Sequence, residues 1–112
     1  MNEPVASLSV VGMPVTTEPA EALAALVSSC PGVASLSGGS LGEVATYLPG
    51  RRVRGIRLDG QSVEVHVVAH WGTPLPPIAD RVRAVCLPFA SGRPIDVYVD
   101  DLEVPEVLLS RA

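Results

Sequence analysis

Several things are scarce in this chain, and each scarcity removes a class of function. Aromatic residues make up only 4% of its 112 residues, so the core must be aliphatic and few platforms exist on which bases or sugars stack. Lysine is absent, and all eight basic residues are arginine. Twelve acidic residues outnumber them, for a net charge of −4, which gives no general pull toward nucleic acid or anionic lipid. No window approaches the ~20 apolar residues needed to cross a bilayer. The opening stretch MNEPVASLSVVGMPV has no basic region ahead of its apolar run, so no signal peptide is expected.

What remains is a globular composition, 47% hydrophobic and 18% charged, of a length that suits one domain. The two cysteines, Cys30 and Cys86, each fall in a helical apolar stripe, as buried thiols in a reducing compartment do. A cytoplasmic chain is therefore expected.

Periodicity supplies the elements. Residues 1–16 show no clean period and read as an N-terminal arm or a short edge strand. A helix is expected from Thr17 as N-cap, with Glu18 and Glu21 in its first turn and Leu23, Leu26, Val27 and Cys30 on one face. Val33 to Leu36 reads as a short strand. Leu41, Val44, Ala45 and Leu48 recur at helical spacing, so a turn or two of helix is expected over residues 41–48, before Pro49-Gly50. RRVRGIRL reads as a single strand, Asp59-Gly60 as a hairpin turn, and the return strand carries Val63, Val65, Val67 and Ala69 on one face. Glu64, His66, Val68 and His70 take the other. Thr73 and Pro74 then start a helix with Leu75, Ile78, Ala79, Val82, Val85, Cys86 and Phe89 along one stripe. The last strand points Ile95, Val97 and Val99 inward and Asp96, Tyr98 and Asp100 outward. The fold class predicted is α+β, a two-layer sandwich of two amphipathic helices on one face of a small mixed sheet. Its parts are an arm (1–16), a single domain (17–104) and an apolar tail (105–112) suited to docking on a partner.

The stretch HVVAHWGTPLPPIADRV holds both histidines and the only tryptophan. On a strand, His66 and His70 have Cα atoms roughly 13 Å apart, at ~3.3 Å per residue, whereas metal bonds of about 2 Å need both donors on one ion. Glu64 and His66 would need ligands from other elements, and no further Cys or His is available. No metal is expected, and this face reads as a solvated or interface-facing surface. Catalysis finds no better footing. The cysteines are predicted buried, and no serine sits in a GxSxG elbow. Asp100 and Asp101, adjacent on a strand, are expected on opposite faces and unable to flank one bond. GGSLG (38–42) lacks the Lys-Ser/Thr that follows phosphate-cradling loops and reads as a turn that lets backbones approach. Neither an enzyme nor a cofactor is expected.

The candidate interaction residues are Arg51, Arg52, Arg54 and Arg57, an arginine run with no acid among them, together with Trp71, Asp100 and Asp101. Facing the arginines in charge are Asp96, Asp100, Asp101, Glu103 and Glu106. Two readings stand: contact with an acidic surface, including another copy of the chain in head-to-tail order, or an edge strand kept from aggregating by charge. Trp71 either anchors an interface or caps the core.

Four motifs in order carry a resemblance. Pro31-Gly32-Val33 with Gly38-Gly39, Trp71-Gly72 closing a strand of alternating valines, Pro76 to Val82, and Val97 to Val99 together resemble the alkaline shock protein family of bacterial envelope stress response proteins. The likeness covers about residues 19–104, with Trp71 where tyrosine is usual and little sequence beyond the domain. It implies a small non-enzymatic scaffold, cytoplasmic or peripheral at the inner face of the cell membrane, that oligomerises and binds a small membrane-anchored protein. No catalytic residues carry over. The alternative is a nucleic-acid-binding α+β module using the arginine-rich strand, opposed by the net charge and the missing stacking platform.

Overall fold

Pro19 opens the first helix, α1 (Pro19–Ser28), where its missing N–H costs nothing. The computed structural model describes residues 18–109. The expected cap Thr17, the arm 1–16 and the end of the tail lie outside the described residues. Glu18 holds the cap position without a side-chain cap bond. Leu23 and Val27 of α1 are fully buried, and Cys30 just beyond the helix joins them in the core. Strand β1 (Val33–Leu36) follows with the predicted bounds.

The helix expected over residues 41–48 is absent. A loop leads into strand β2 (Ala45–Leu48), which pairs antiparallel with β3 (Arg51–Arg54) across the Pro49-Gly50 turn. So short a window does not separate the two periods, and Leu41 is 81% exposed, off any apolar face. Thr46 and Tyr47 favour an extended chain, and their tertiary pairing decides the outcome.

RRVRGIRL is likewise two strands. Gly55, at φ +86°, separates β3 from β4 (Ile56–Leu58). A Cβ there would stand 2.8 Å from the Leu36 Cβ and 3.0 Å from the Ser37 carbonyl oxygen, so only glycine lets the chain swerve at this point. The swerve brings the β2–β3 hairpin alongside β4. Thr46 Oγ1 then donates to the Ile56 carbonyl at 2.6 Å and accepts from the Leu58 N–H at 3.1 Å.

The Asp59 carboxylate accepts the N–H groups of Gln61 and Ser62, which hold its pKa below the usual range and shape the hairpin loop. The returning strand, β5 (Val63–His70), is central. It pairs antiparallel with β4 and, further along, with β1; it pairs in parallel over its whole length with β6 (Ile95–Glu103). β4 and β1 share one side of β5 end to end. His66 marks the junction, its N–H donating to Gly55 and its carbonyl accepting from Ser37.

A parallel pair needs a crossover, here helix α2 (Leu75–Ala90). Pro74 rather than Thr73 holds its cap position, one residue later than the sequence suggests. Ile78, Val82 and Cys86 are fully buried, while Leu75 at the start of the stripe is exposed. Arg93 closes the helix by donating to the Phe89 and Ala90 carbonyls, and it also reaches the Asp59 carbonyl. Both helices cover the same sheet face, against Val63, Val65, Val67 and Ala69, all 0% exposed. The architecture is the α+β sandwich with a mixed sheet. A last turn, α3 (Glu106–Leu109), buries no residue. Among the described residues, no helix is long and apolar enough to cross a membrane.

The Thr46 hydroxyl stands in for a missing strand along β4. Thr46→Val leaves two backbone groups unpaired and should cost about 1–3 kcal/mol in urea unfolding, with Thr46→Ser restoring more than half. Equal stability of all three proteins would show that water replaces the hydroxyl without loss.

Candidate functional site

The sheet face turned away from the helices carries a connected polar row. Register places Arg57 beside Glu64, Glu64 beside Asp96, and His66 beside Tyr98. Arg57 Nη1 donates to Glu64 at 3.1 Å, and the other Glu64 oxygen lies 2.7 Å from His66 Nε2. On its far side, His66 Nδ1 lies 2.8 Å from Asp100 Oδ2, and that same oxygen accepts the Ser37 hydroxyl at 2.9 Å. The imidazole also stacks on the Tyr98 ring, centroids 4.4 Å apart and planes 15° from parallel. Period two places His66 on this face as expected; of the two surfaces expected there, solvated or interface-facing, the solvated one does not hold at this position. Its neighbours leave His66 only 8% exposed.

Asp100 continues the outward alternation of Asp96 and Tyr98, which brings it to His66, and β6 is bulged at this point. Val67 pairs with Val99 and Val68 with Asp101, so Asp100 is an extra residue in the ladder. The expectation that Asp100 and Asp101 face opposite ways is overturned for this reason. Both line one open cleft of about 340 Å³ with Ser37, Gly39, Ser40 and His66. A signal for the bulge was present in the sequence. In IDVYVDDLEV the apolar–polar alternation slips by one at the doubled aspartate. Ser37 and Tyr98 had no such signal, because their partners come from distant parts of the chain.

The row is saturated by its own members. Each nitrogen of His66 faces a carboxylate oxygen of the same row, so both ring positions are engaged within it. The Ser37 hydroxyl donates to a carboxylate instead of an imidazole, which is not the serine–base pairing of nucleophilic catalysis. The glycine loop 38–42 is a site of close backbone approach, since a Cβ on Gly38 would stand 2.9 Å from Arg54 Nε and 3.2 Å from the Gly42 Cα. Two carboxylates in the adjoining cleft repel phosphate. Among the described residues, no group of three or more His, Cys, Asp or Glu is placed to hold a metal ion.

The arginine run is divided: Arg51, Arg52 and Arg54 lie on β3 with separate partners, and the swerve at Gly55 carries Arg57 onto β4. Arg51 forms a two-pronged bond with Glu21 of α1, Nε at 2.5 Å and Nη2 at 3.1 Å. Arg54 Nη1 donates to the Leu36 carbonyl on the outer edge of β1 at 3.4 Å. Arg57 binds Glu64 and the Glu43 carbonyl. Arg52 alone among the four has no side-chain hydrogen bond or ion pair among the described residues. Trp71 is 52% exposed, so it does not cap the core; its N–H joins the ladder through the Glu103 carbonyl. Asp101 accepts its neighbour Leu102 N–H, and His70 lies 3.6 Å from Glu103.

Both thiols are buried and free. Burial raises the Cys30 pKa, against a small opposing pull from Arg81. Burial, with Cys30 nearby, pushes Cys86 up to about 11. Both are therefore poor nucleophiles.

No protein-family model, no curated protein and no solved structure matches the chain. The likeness to the alkaline shock family accordingly rests on its four motifs alone.

Two outcomes follow from this geometry. Asp100→Ala strips a shared acceptor from Ser37 and His66 and should cost roughly 1–3 kcal/mol in urea unfolding, while Asp101→Ala should stay within about 0.5 kcal/mol. Equal losses would deny Asp100 its special place. An unfolded thiol ionises near 9.0, whereas folded Cys86 holds its proton to about 11. The unfolded chain thus binds fewer protons in that window, and stability should fall as pH rises from 9 to 11. Cys86→Ala should flatten that slope; an unchanged slope would assign it to other groups.

Proposed function

We propose that this chain is a non-catalytic interaction and scaffold protein, acting by self-association and by binding a protein partner. The observation that carries the reading is the unequal treatment of its sheet edges. On one side, Thr46 occupies the outer edge of β4 and Arg54 binds the outer edge of β1. On the other, nine-residue β6 has no strand beyond it among the described residues. Open edges are templates for another chain. The saturated polar row supports the same reading, because groups committed to each other hold a surface in shape and leave little for chemistry.

The setting comes from the family resemblance. Pro31-Gly32-Val33 enters β1, Trp71-Gly72 follows β5, Pro76 to Val82 lies in α2, and Val97 to Val99 lies in β6. On that likeness the partner is a small membrane-anchored protein, the location is the cytoplasmic face of the membrane, and the role is in the envelope stress response. The reading calls for no cofactor. A nucleic-acid partner finds less support, since three of the four clustered arginines are engaged within the chain.

Sedimentation velocity over a concentration series is the test. The mass should rise with concentration, and Arg52→Glu should move the association midpoint roughly fivefold to tenfold higher, the effect of about 1–1.4 kcal/mol. Arg52 is the clean choice because Arg51 and Arg54 also hold the fold together. A wild-type chain that stays monomeric throughout would remove self-association.

A further inference from the structure

We infer that the open edge of β6 accepts an extended peptide whose side chains alternate between basic and apolar. The inference rests on the interaction-protein reading and specifies the chemistry of one partner.

The backbone sets the first requirement. Val63 N–H donates to the Pro94 carbonyl. In a parallel ladder alternate residues bond to the same neighbour, so the N–H and C=O groups of Ile95, Val97 and Val99 point toward the open edge. They stand ready for a further strand. The side chains set the second requirement. On the helix side, Ile95, Val97 and Val99 remain only partly buried, whereas Val63, Val65 and Val67 beside them on β5 are 0% exposed. A docked strand would cover them with apolar residues at every second position.

Between those positions, its side chains meet the other face of β6. There stand Asp96, exposed and without a hydrogen bond or ion pair among the described residues, then Tyr98, then Asp100 and Asp101 at the cleft. Glu103 continues the negative charge at the far end of the strand. Basic residues complement that row. One face of the Tyr98 ring is covered by His66, yet the residue is still 46% exposed, so arginine, which stacks on aromatic faces, fits better than lysine. The same acids argue against a second β6 as occupant, because like charges set opposite each other destabilise a strand pair.

The probe is a capped peptide of alternating arginine and valine, titrated into the full-length chain by isothermal calorimetry. A peptide of the same composition with its arginines and valines in separate blocks is the control. Binding of the alternating peptide, at least tenfold tighter than the block peptide, is expected. Val97→Pro removes an N–H that faces the open edge and leaves the β5 ladder whole, so it should weaken binding tenfold or more. Should Val97→Pro fail to fold, Asp96→Lys, a fully surface change, is expected to weaken binding at least fivefold and decides the matter. Equal affinity for both peptides means adsorption by charge alone and overturns the inference. So does unchanged binding by the folded variants, or no binding at all. Self-association seen by sedimentation would survive those results, so the two proposals fail separately.

Discussion

Every strand has two edges, and the backbone groups on each must find partners or remain open to solvent; in a sheet this narrow, that requirement arranges the rest of the molecule. β5 satisfies both of its edges with three strands. β4 and β1 then need partners on their far sides, and the chain supplies side chains in place of strands: the Thr46 hydroxyl for Ile56 and Leu58, the Arg54 guanidinium for Leu36. Gly55 makes this possible by letting the chain swerve so that the β2–β3 hairpin meets β4. β6 receives no such closure among the described residues. Its four acids, Asp96, Asp100, Asp101 and Glu103, discourage indiscriminate pairing along that edge.

The two faces of β5 divide the labour. Its valines fill an aliphatic core with the helices, each contributing roughly 1.5–3 kcal/mol by burial. On the opposite face, Glu64 and His66 link Arg57 on β4 to Asp100 on β6 and Ser37 after β1. One polar row thereby ties the β4–β5 hairpin to two segments far from it in sequence. The bulge beside Asp100 turns Asp101 toward the same cleft. Such a network, in which each member is bonded to another, holds that face of the sheet in one arrangement.

Much of the fold was legible in the residues themselves. Long amphipathic patterns such as Val63 to Ala69 and Ile78 to Phe89 carry one period over many residues, so core and exposed faces follow from spacing. Residues 41–48 were not legible, because four apolar residues in so short a stretch fit either period and the β3 partner decides. The arginine run misled for a related reason: adjacency in sequence suggested one patch, whereas positions along β3 and the break at Gly55 send its members to three different neighbours.

Composition and periodicity, then, settled the aliphatic core, the two helices, the central strand and the outward position of His66, since these depend on local geometry repeated along the chain. Only the tertiary structure brought Ser37, Glu64, His66 and Asp100 together, gave β6 its parallel partner, and left one sheet edge open among the described residues. Those features are contacts between residues up to 63 positions apart, and a linear pattern carries no record of which distant groups will share a hydrogen bond.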